Sequence, residues 1–329
     1  VKDKTVWNYL SRNRMKSLIF GVPQTYPPKP LNGILVASFM TPSKSVQYTY
    51  PDEVKLELDR VADGDYIIDV ENFRTDDKEK LLRNIYLMTE RRFKAFRHFL
   101  KKDEYDFAML VEMGIDRIHH GFWRFFDKNH RLYEPGNPYE NAIFDYYRAV
   151  DEEVEKTLEI IDKDTSVMVV SDHGAKTMVG AICINEWLEK EGYLTLHKHP
   201  ASQTKLSKDM IDWDKTKAWG EGGYYSRIFF NVKGREPRGV IPKEDYESFR
   251  DELRAKLEAI VDESGKNINT KAFRPEDIYR ECKNIPPDLI VYLGNLDWRS
   301  AGTVGNGSIY LYENDTGPDD ANHAEDGIF

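Results

Sequence analysis

The chain has 329 residues, 47 basic against 57 acidic, for a net charge of −10. Its length suits one large core with an elaboration, and the acidic balance argues against stable nucleic-acid binding through the phosphate backbone. Two distant cysteines, Cys183 and Cys282, argue against a disulfide framework or a cysteine zinc site. With no run near the roughly 18 apolar residues of a membrane span, a cytoplasmic protein with no membrane partner is expected.

Taken in chain order, short apolar runs bounded by Gly, Pro or charge at 17–22, 33–39, 66–70, 107–112, 166–171 and 288–293 read as buried parallel strands. Between them lie helical periods. Residues 78–101 put Leu81, Ile85, Met88 and Phe96 on one face, and 141–161 do the same with Ile143, Tyr147, Val150, Val154 and Leu158. Alternating strands and helices predict an α/β fold, a doubly wound and mostly parallel sheet with helices on both faces. From about Leu196 the pattern turns polar, with a strand-like 225–232 and a helix at 246–261, which reads as an inserted smaller lobe. Pro286-Pro287 marks the resumption of the sheet. The expected division is therefore a metal-binding core at 1–195, a lobe at 196–285 and a return to the core at 286–329.

Three clusters carry chemistry. In Asp116-Arg117-Ile118-His119-His120, after the strand at 107–112, Asp116 and His120 at i and i+4 share a helix face and can hold one cation, with His119 as the competing partner. Packing of a helix end is the bland alternative. Ser171-Asp172-His173-Gly174 closes the run at 166–170, where open α/β sheets bind ligands; the bland alternative is a helix N-cap by Asp172. His323 follows Asp319-Asp320-Ala321-Asn322, and those acids suit the orientation of its ring. One late histidine is ordinarily surface, but two acidic/histidine pairs plus a late His is how a two-metal esterase gathers ligands from separated loops.

Asp-x-x-x-His after a strand, Ser-Asp-His-Gly at a strand end and a late His before Gly327-Ile328-Phe329 together resemble the type I phosphodiesterase/nucleotide pyrophosphatase family of the alkaline phosphatase superfamily. Val22-Pro23-Gln24-Thr25-Tyr26-Pro27-Pro28, Asn32-Gly33 and Phe39-Met40-Thr41-Pro42 agree, most closely with archaeal members. The resemblance runs through nearly the whole chain. It implies an alkaline-phosphatase-like fold and two divalent metal ions, zinc with manganese as the alternative. Asp116, His120 and His323 would hold one ion, while Asp172 and His173 contribute to the other. The implied substrate is a small phosphate ester or nucleotide.

The family completes its second site with an Asp and a Thr or Ser nucleophile that precede the Val-Pro-x-x-Tyr-Pro-Pro stretch. Here that stretch lies about twenty residues from the beginning, so the nucleophile is expected upstream of this chain, cut at both ends; Thr5 reads as a helix N-cap instead. Two other readings stand beside this one. One is an enzyme like the cofactor-independent phosphoglycerate mutases; the other is a non-catalytic domain whose metals serve only folding. Of the remaining features, Gly220-Glu221-Gly222-Gly223-Tyr224-Tyr225 reads as a turn or a base-stacking loop, Lys176 as solvated or phosphate-binding, and Phe122 to Phe126 as packing beneath the first metal pair.

Overall fold

Apolar side chains on both faces of residues 17–20 require cover on both sides, and in the computed structural model, which describes residues 3–329, all four are buried. The chain divides into two units: residues up to Lys128 with Glu134–Met168, and Asn129–Tyr133 with Val169–Phe329.

The first unit runs α1 (Val6–Arg12), β1 (Ser17–Phe20), β2 (Gly33–Val36), β3 (Thr49–Tyr50), α2 (Val54–Val61), α3 (Lys78–Lys102), β4 (Phe107–Leu110), α4 (Gly114–Phe126) and α5 (Ala142–Leu158). Thr5 caps α1, with Asn8 Oδ1 accepting from its backbone N at 3.0 Å and its hydroxyl at 2.9 Å. The strands form one sheet in the order β3-β2-β1-β4, parallel except for the β3 edge. Helix α3 starts at Asp77, whose carboxylate accepts from Lys80 N at 3.1 Å, and buries Leu81, Ile85, Met88 and Phe96 as its periodicity predicts. Phe96 and Phe99 pack on Phe20 of β1 (centroids 5.6 and 5.9 Å), while Leu81, Ile85 and Met88 join Ile118, Phe122 and Tyr146 of α4 and α5. Each such side chain contributes roughly 1.5–3 kcal/mol by burial.

Two expected strands of the sheet are not strands. Residues 66–70 have buried Tyr66, Ile68 and Val70 in alternation, but the Ile68 carbonyl accepts from Arg92 Nη2 at 2.7 Å rather than from a neighbouring strand. Residues 166–171 form no strand ladder, and Val167, Met168, Val169 and Val170 are 54, 71, 57 and 52% exposed. β-branched composition favours a strand only where a pleated partner surface exists, so propensity was overridden.

The second unit runs β5 (Gly174–Thr177), β6 (Gly180–Cys183), α6 (Ile184–Lys190), β7 (Thr204–Lys205), β8 (Ala218–Glu221), β9 (Ser226–Phe230), α7 (Tyr246–Glu258), β10 (Lys271–Phe273), α8 (Pro275–Ile278), β11 (Leu289–Tyr292), β12 (Trp298–Ala301), β13 (Thr303–Val304), β14 (Tyr310–Leu311) and β15 (Ala321–Ala324). Its largest sheet, β10-β11-β9-β8, is antiparallel throughout. A smaller sheet pairs β12 parallel and β14 antiparallel with β6; β5 pairs with β15 and β7 with β13.

The α/β class stands, but as several mixed sheets rather than one mostly parallel one. β11, expected to resume the parallel core, lies antiparallel between β9 and β10. Within the second unit, Ile184, Trp187 and Leu188 of α6 share one buried cluster with Phe230, Leu253 and Leu289. Beneath it, Asp288 takes bonds from Phe230 N (2.6 Å), Tyr246 Oη (2.7 Å) and both Arg235 Nη atoms (2.6 and 2.8 Å). Among the described residues no helix is long and apolar enough to cross a membrane.

Candidate functional site

In the first unit the turn from β4 into α4 is built around Glu112. Its Oε1 accepts from Gly114 N at 2.6 Å, Thr89 Oγ1 at 3.2 Å and Tyr146 Oη at 3.3 Å. A carboxylate at a helix N-terminus complements the macrodipole. Burial, then the charge of Glu112, pushes the Tyr146 hydroxyl well above its ordinary range, so it stays protonated as a donor. Arg92, whose charge burial opposes, is held protonated chiefly by Glu112, 3.7 Å away. This network fixes where the first turn of α4 begins.

One turn on, Asp116 Oδ1 and His120 Nε2 stand 3.3 Å apart. Two donors on one tetrahedral zinc, with bonds near 2.0–2.1 Å, are about 3.3 Å apart as well. The other oxygen, Asp116 Oδ2, accepts from Arg117 Nη1 at 2.5 Å, and Arg117 is held in a fork by Asp69 at 3.0 and 2.6 Å. Phe73 flanks both residues, 4.2 Å from the Arg117 guanidinium and 6.1 Å from the His120 ring. His119 turns elsewhere: its Nε2 meets Tyr147 Oη at 3.1 Å and its ring stands edge-on to Trp123. Phe122 and Phe125 pack against Tyr139.

In the second unit the Asp-His turn and the late histidine come together. β15 runs antiparallel to β5 with His323 opposite Ala175, and the His173 and His323 rings stack at 3.6 Å, 12° from parallel. Asp172 Oδ1 is 3.6 Å from His173 Nε2, and the carboxylate is 85% exposed. The N-cap alternative for Asp172 falls away, because β5 rather than a helix follows. Gly174 is needed for close approach: a Cβ there would sit 2.1 Å from the Asp326 carbonyl oxygen. His173 Nδ1 lies 2.9 Å from the Gly174 carbonyl, which can only accept, so Nδ1 is the donor there and Nε2 is the other ring nitrogen.

Further side chains join this arrangement. Tyr224, from the glycine-rich turn, stacks on His323 at 3.9 Å. Asn322 is buried, donates to Leu296 O at 2.7 Å and accepts from His323 N at 2.9 Å. Leu296 ends a left-handed run, with φ of 57°, 53° and 71° at Gly294, Asn295 and Leu296. Such backbone costs of order 1–3 kcal/mol per non-glycine residue and persists where surrounding contacts over-determine it. Lys176 donates to Asn295 O at 3.0 Å and pairs with Asp297 at 2.5 Å. Asp69 is the most consequential omission; it acts through Arg117 and lies in the run at 66–70, which the strand reading absorbed.

The two couples, each a carboxylate beside an imidazole, have the donor chemistry and spacing that a borderline divalent ion takes. A family model described as type I phosphodiesterase / nucleotide pyrophosphatase matches residues 1–319. A search of curated proteins finds no match to this chain.

Proposed function

We propose that this chain, which belongs to the type I phosphodiesterase / nucleotide pyrophosphatase family, contributes the metal-binding residues of a two-metal hydrolase of phosphate esters whose substrates are small diesters or nucleotides. In this reading Asp116, His120 and His323 hold one ion, and Asp172 and His173 contribute to the other. Zinc suits the mixed carboxylate and imidazole donors, with manganese as the alternative. Divalent ions there would stabilise negative charge on the attacking and leaving oxygens of an in-line displacement.

The chain's own residues prepare this. Arg117 engages Asp116 Oδ2, so that Oδ1 is the oxygen presented beside His120. The Gly174 carbonyl engages His173 Nδ1, so that Nε2 is the ring nitrogen offered for a ligand bond. Neither task needs rearrangement when an ion arrives, which is the value of a preorganised site. The nucleophile is not assigned to a residue of this chain; Thr5 in particular is engaged with Asn8.

The observation that carries the reading is the Asp116–His120 couple at metal-ligand spacing. The test is metal content by elemental analysis after reconstitution with Zn²⁺ or Mn²⁺, alongside hydrolysis of bis(p-nitrophenyl) phosphate and p-nitrophenyl phosphate. The wild-type chain and the Asp116→Asn and His323→Ala variants are compared. Bound metal that falls in both variants supports the assignment, and the ratio of the two hydrolysis rates then reports ester class. A wild-type chain that binds no metal, or variants that bind as much as it does, sinks the assignment.

A further inference from the structure

Along β9 the side chains alternate: Ser226, Ile228 and Phe230 are buried and Arg227 between them is exposed. Ile290 of β11 stands opposite Arg227, and Phe273 of β10 stands opposite Ile290. Arg227 and Ile290, with Tyr225 and the chain at 275–287, line an open cavity of about 300 Å³. That volume falls at the lower end of the ~300–1,000 Å³ span of small-molecule sites.

The charge of the lining favours an anion. Elsewhere in the second unit Arg235, Arg250 and Arg274 each hold a carboxylate, from Asp288 at 2.6 Å, Glu276 at 2.5 Å and Asp251. Arg227 has no such partner among the described residues. Glu281, the carboxylate that lines the cavity, is 3.2 Å from Lys283. Arg227 and Lys283 against Glu281 therefore leave one net positive charge, on a chain whose total is −10. Nearby Glu325 is balanced by Lys271 at 3.9 Å. The local field thus draws an anion that the chain as a whole repels.

The shape of the lining favours a flat ring. Tyr225 and Tyr279 are 42 and 57% exposed, so each offers an aromatic face. The Tyr225 ring is held by Tyr292 (centroids 5.9 Å), which meets Phe273 edge-on at 5.1 Å. Pro275, Pro286 and Pro287 line the same cavity with φ locked by their rings, so this backbone is set before a ligand enters. An exposed arginine or tyrosine alone is ordinary surface; their convergence on one rigid-walled cavity is what a ligand accounts for.

We propose that this cavity binds a planar aromatic ring carrying an anionic group, as in a nucleoside monophosphate. The anion sits on the Arg227 guanidinium, whose fork suits two oxygens at once, and the ring lies against Tyr225 and Tyr279. The site uses none of the residues assigned to the metal ions and needs no metal, so it goes beyond the hydrolase reading and does not depend on it.

The experiment is isothermal titration calorimetry of the full chain in excess chelator, with 5′-AMP and with its two halves, adenosine and ribose 5-phosphate. Wild type should bind one equivalent of AMP and each half more weakly. Arg227→Gln should bind AMP about 10–100-fold more weakly, no better than adenosine, while its affinity for adenosine matches wild type; a merely structural role for Arg227 would not give that split. Tyr279→Ala should weaken AMP and adenosine alike, by about 10-fold. His323→Ala should bind AMP as wild type does, which separates the cavity from the metal couples. No binding of millimolar AMP to wild type, an unchanged AMP affinity in Arg227→Gln, or AMP binding abolished in His323→Ala would each overturn the proposal. Arg227 and Tyr279 are exposed side chains, and far-UV circular dichroism spectra matching wild type confirm that the titrations report the cavity.

Discussion

Replacing Asp69 by Asn removes one charge and touches neither Asp116 nor His120, yet it should weaken metal binding at that couple. Arg117 is 6% exposed and divides its guanidinium between the Asp69 fork and Asp116 Oδ2. With Asp69 neutral, the whole cation falls to Asp116, which must then be drawn from its guanidinium before it can serve an ion. Removing a partner of this kind costs ~10–100-fold in metal affinity, or about 1.4–2.7 kcal/mol. The assay is zinc affinity by competition with a chromophoric chelator, together with the metal dependence of diester hydrolysis. The dissociation constant should rise by that factor, while the rate at saturating zinc stays within a few-fold of wild type. An unchanged dissociation constant would refute the chain of influence from Asp69 through Arg117 to Asp116. A lost rate at saturating zinc with normal affinity would place Asp69 in the reaction itself.

Three further outcomes are expected. Asp288→Ala should lower unfolding free energy by roughly 3 kcal/mol in urea titration, because it strands Arg235 and the Phe230 N–H at a nearly buried site; a loss under about 1 kcal/mol would show that solvent takes over these bonds. Gly174→Ala drives a methyl into the Asp326 carbonyl and should open the β5–β15 ladder, cutting hydrolysis ~10²-fold through misplacement of His173. Full activity in that variant would show that the ladder does not set the histidine's position. Glu57 has its carboxyl held below the usual glutamate range, first by the hydrogen bond from His98 and then by that from Lys102. A depressed folded value stabilises above the unfolded value of about 4.3 and loses that contribution as pH falls through the folded one. Urea midpoints from pH 6 to pH 3 should therefore drop more steeply for wild type than for Glu57→Gln; parallel curves would contradict the assignment.

Periodicity made the long helices legible: 78–101 predicted Lys78–Lys102 to within a residue, because four apolar side chains at helical spacing have one way to be buried together. The strand runs at 17–22, 33–39 and 107–112 were readable for the same reason. The run at 166–171 was not, since an apolar stretch states a preference for partners without saying that any are present. Asp116 and His120 were legible as a couple because a helix fixes i and i+4 locally. The meeting of His173 with His323 was not legible from spacing, because a ladder between distant segments decides it; only the resemblance to a family grouped the metal ligands. Arg117, Asp69 and Tyr224 were missed for a related reason: a residue that orients a ligand needs no motif, only a place in the fold.

The β5–β15 ladder also sets a timetable. Ser171 and Ile328 bond across 157 positions of chain, so when Asp172 and His173 leave the ribosome their partner strand has not yet been synthesised. Closing a loop of that length carries an entropic cost that grows only with the logarithm of its size, but it is met before any reward arrives. The histidine pair is therefore among the last features to assemble. A protease that trimmed the chain between β14 and β15 would leave the three large hydrophobic clusters standing while dismantling the pair.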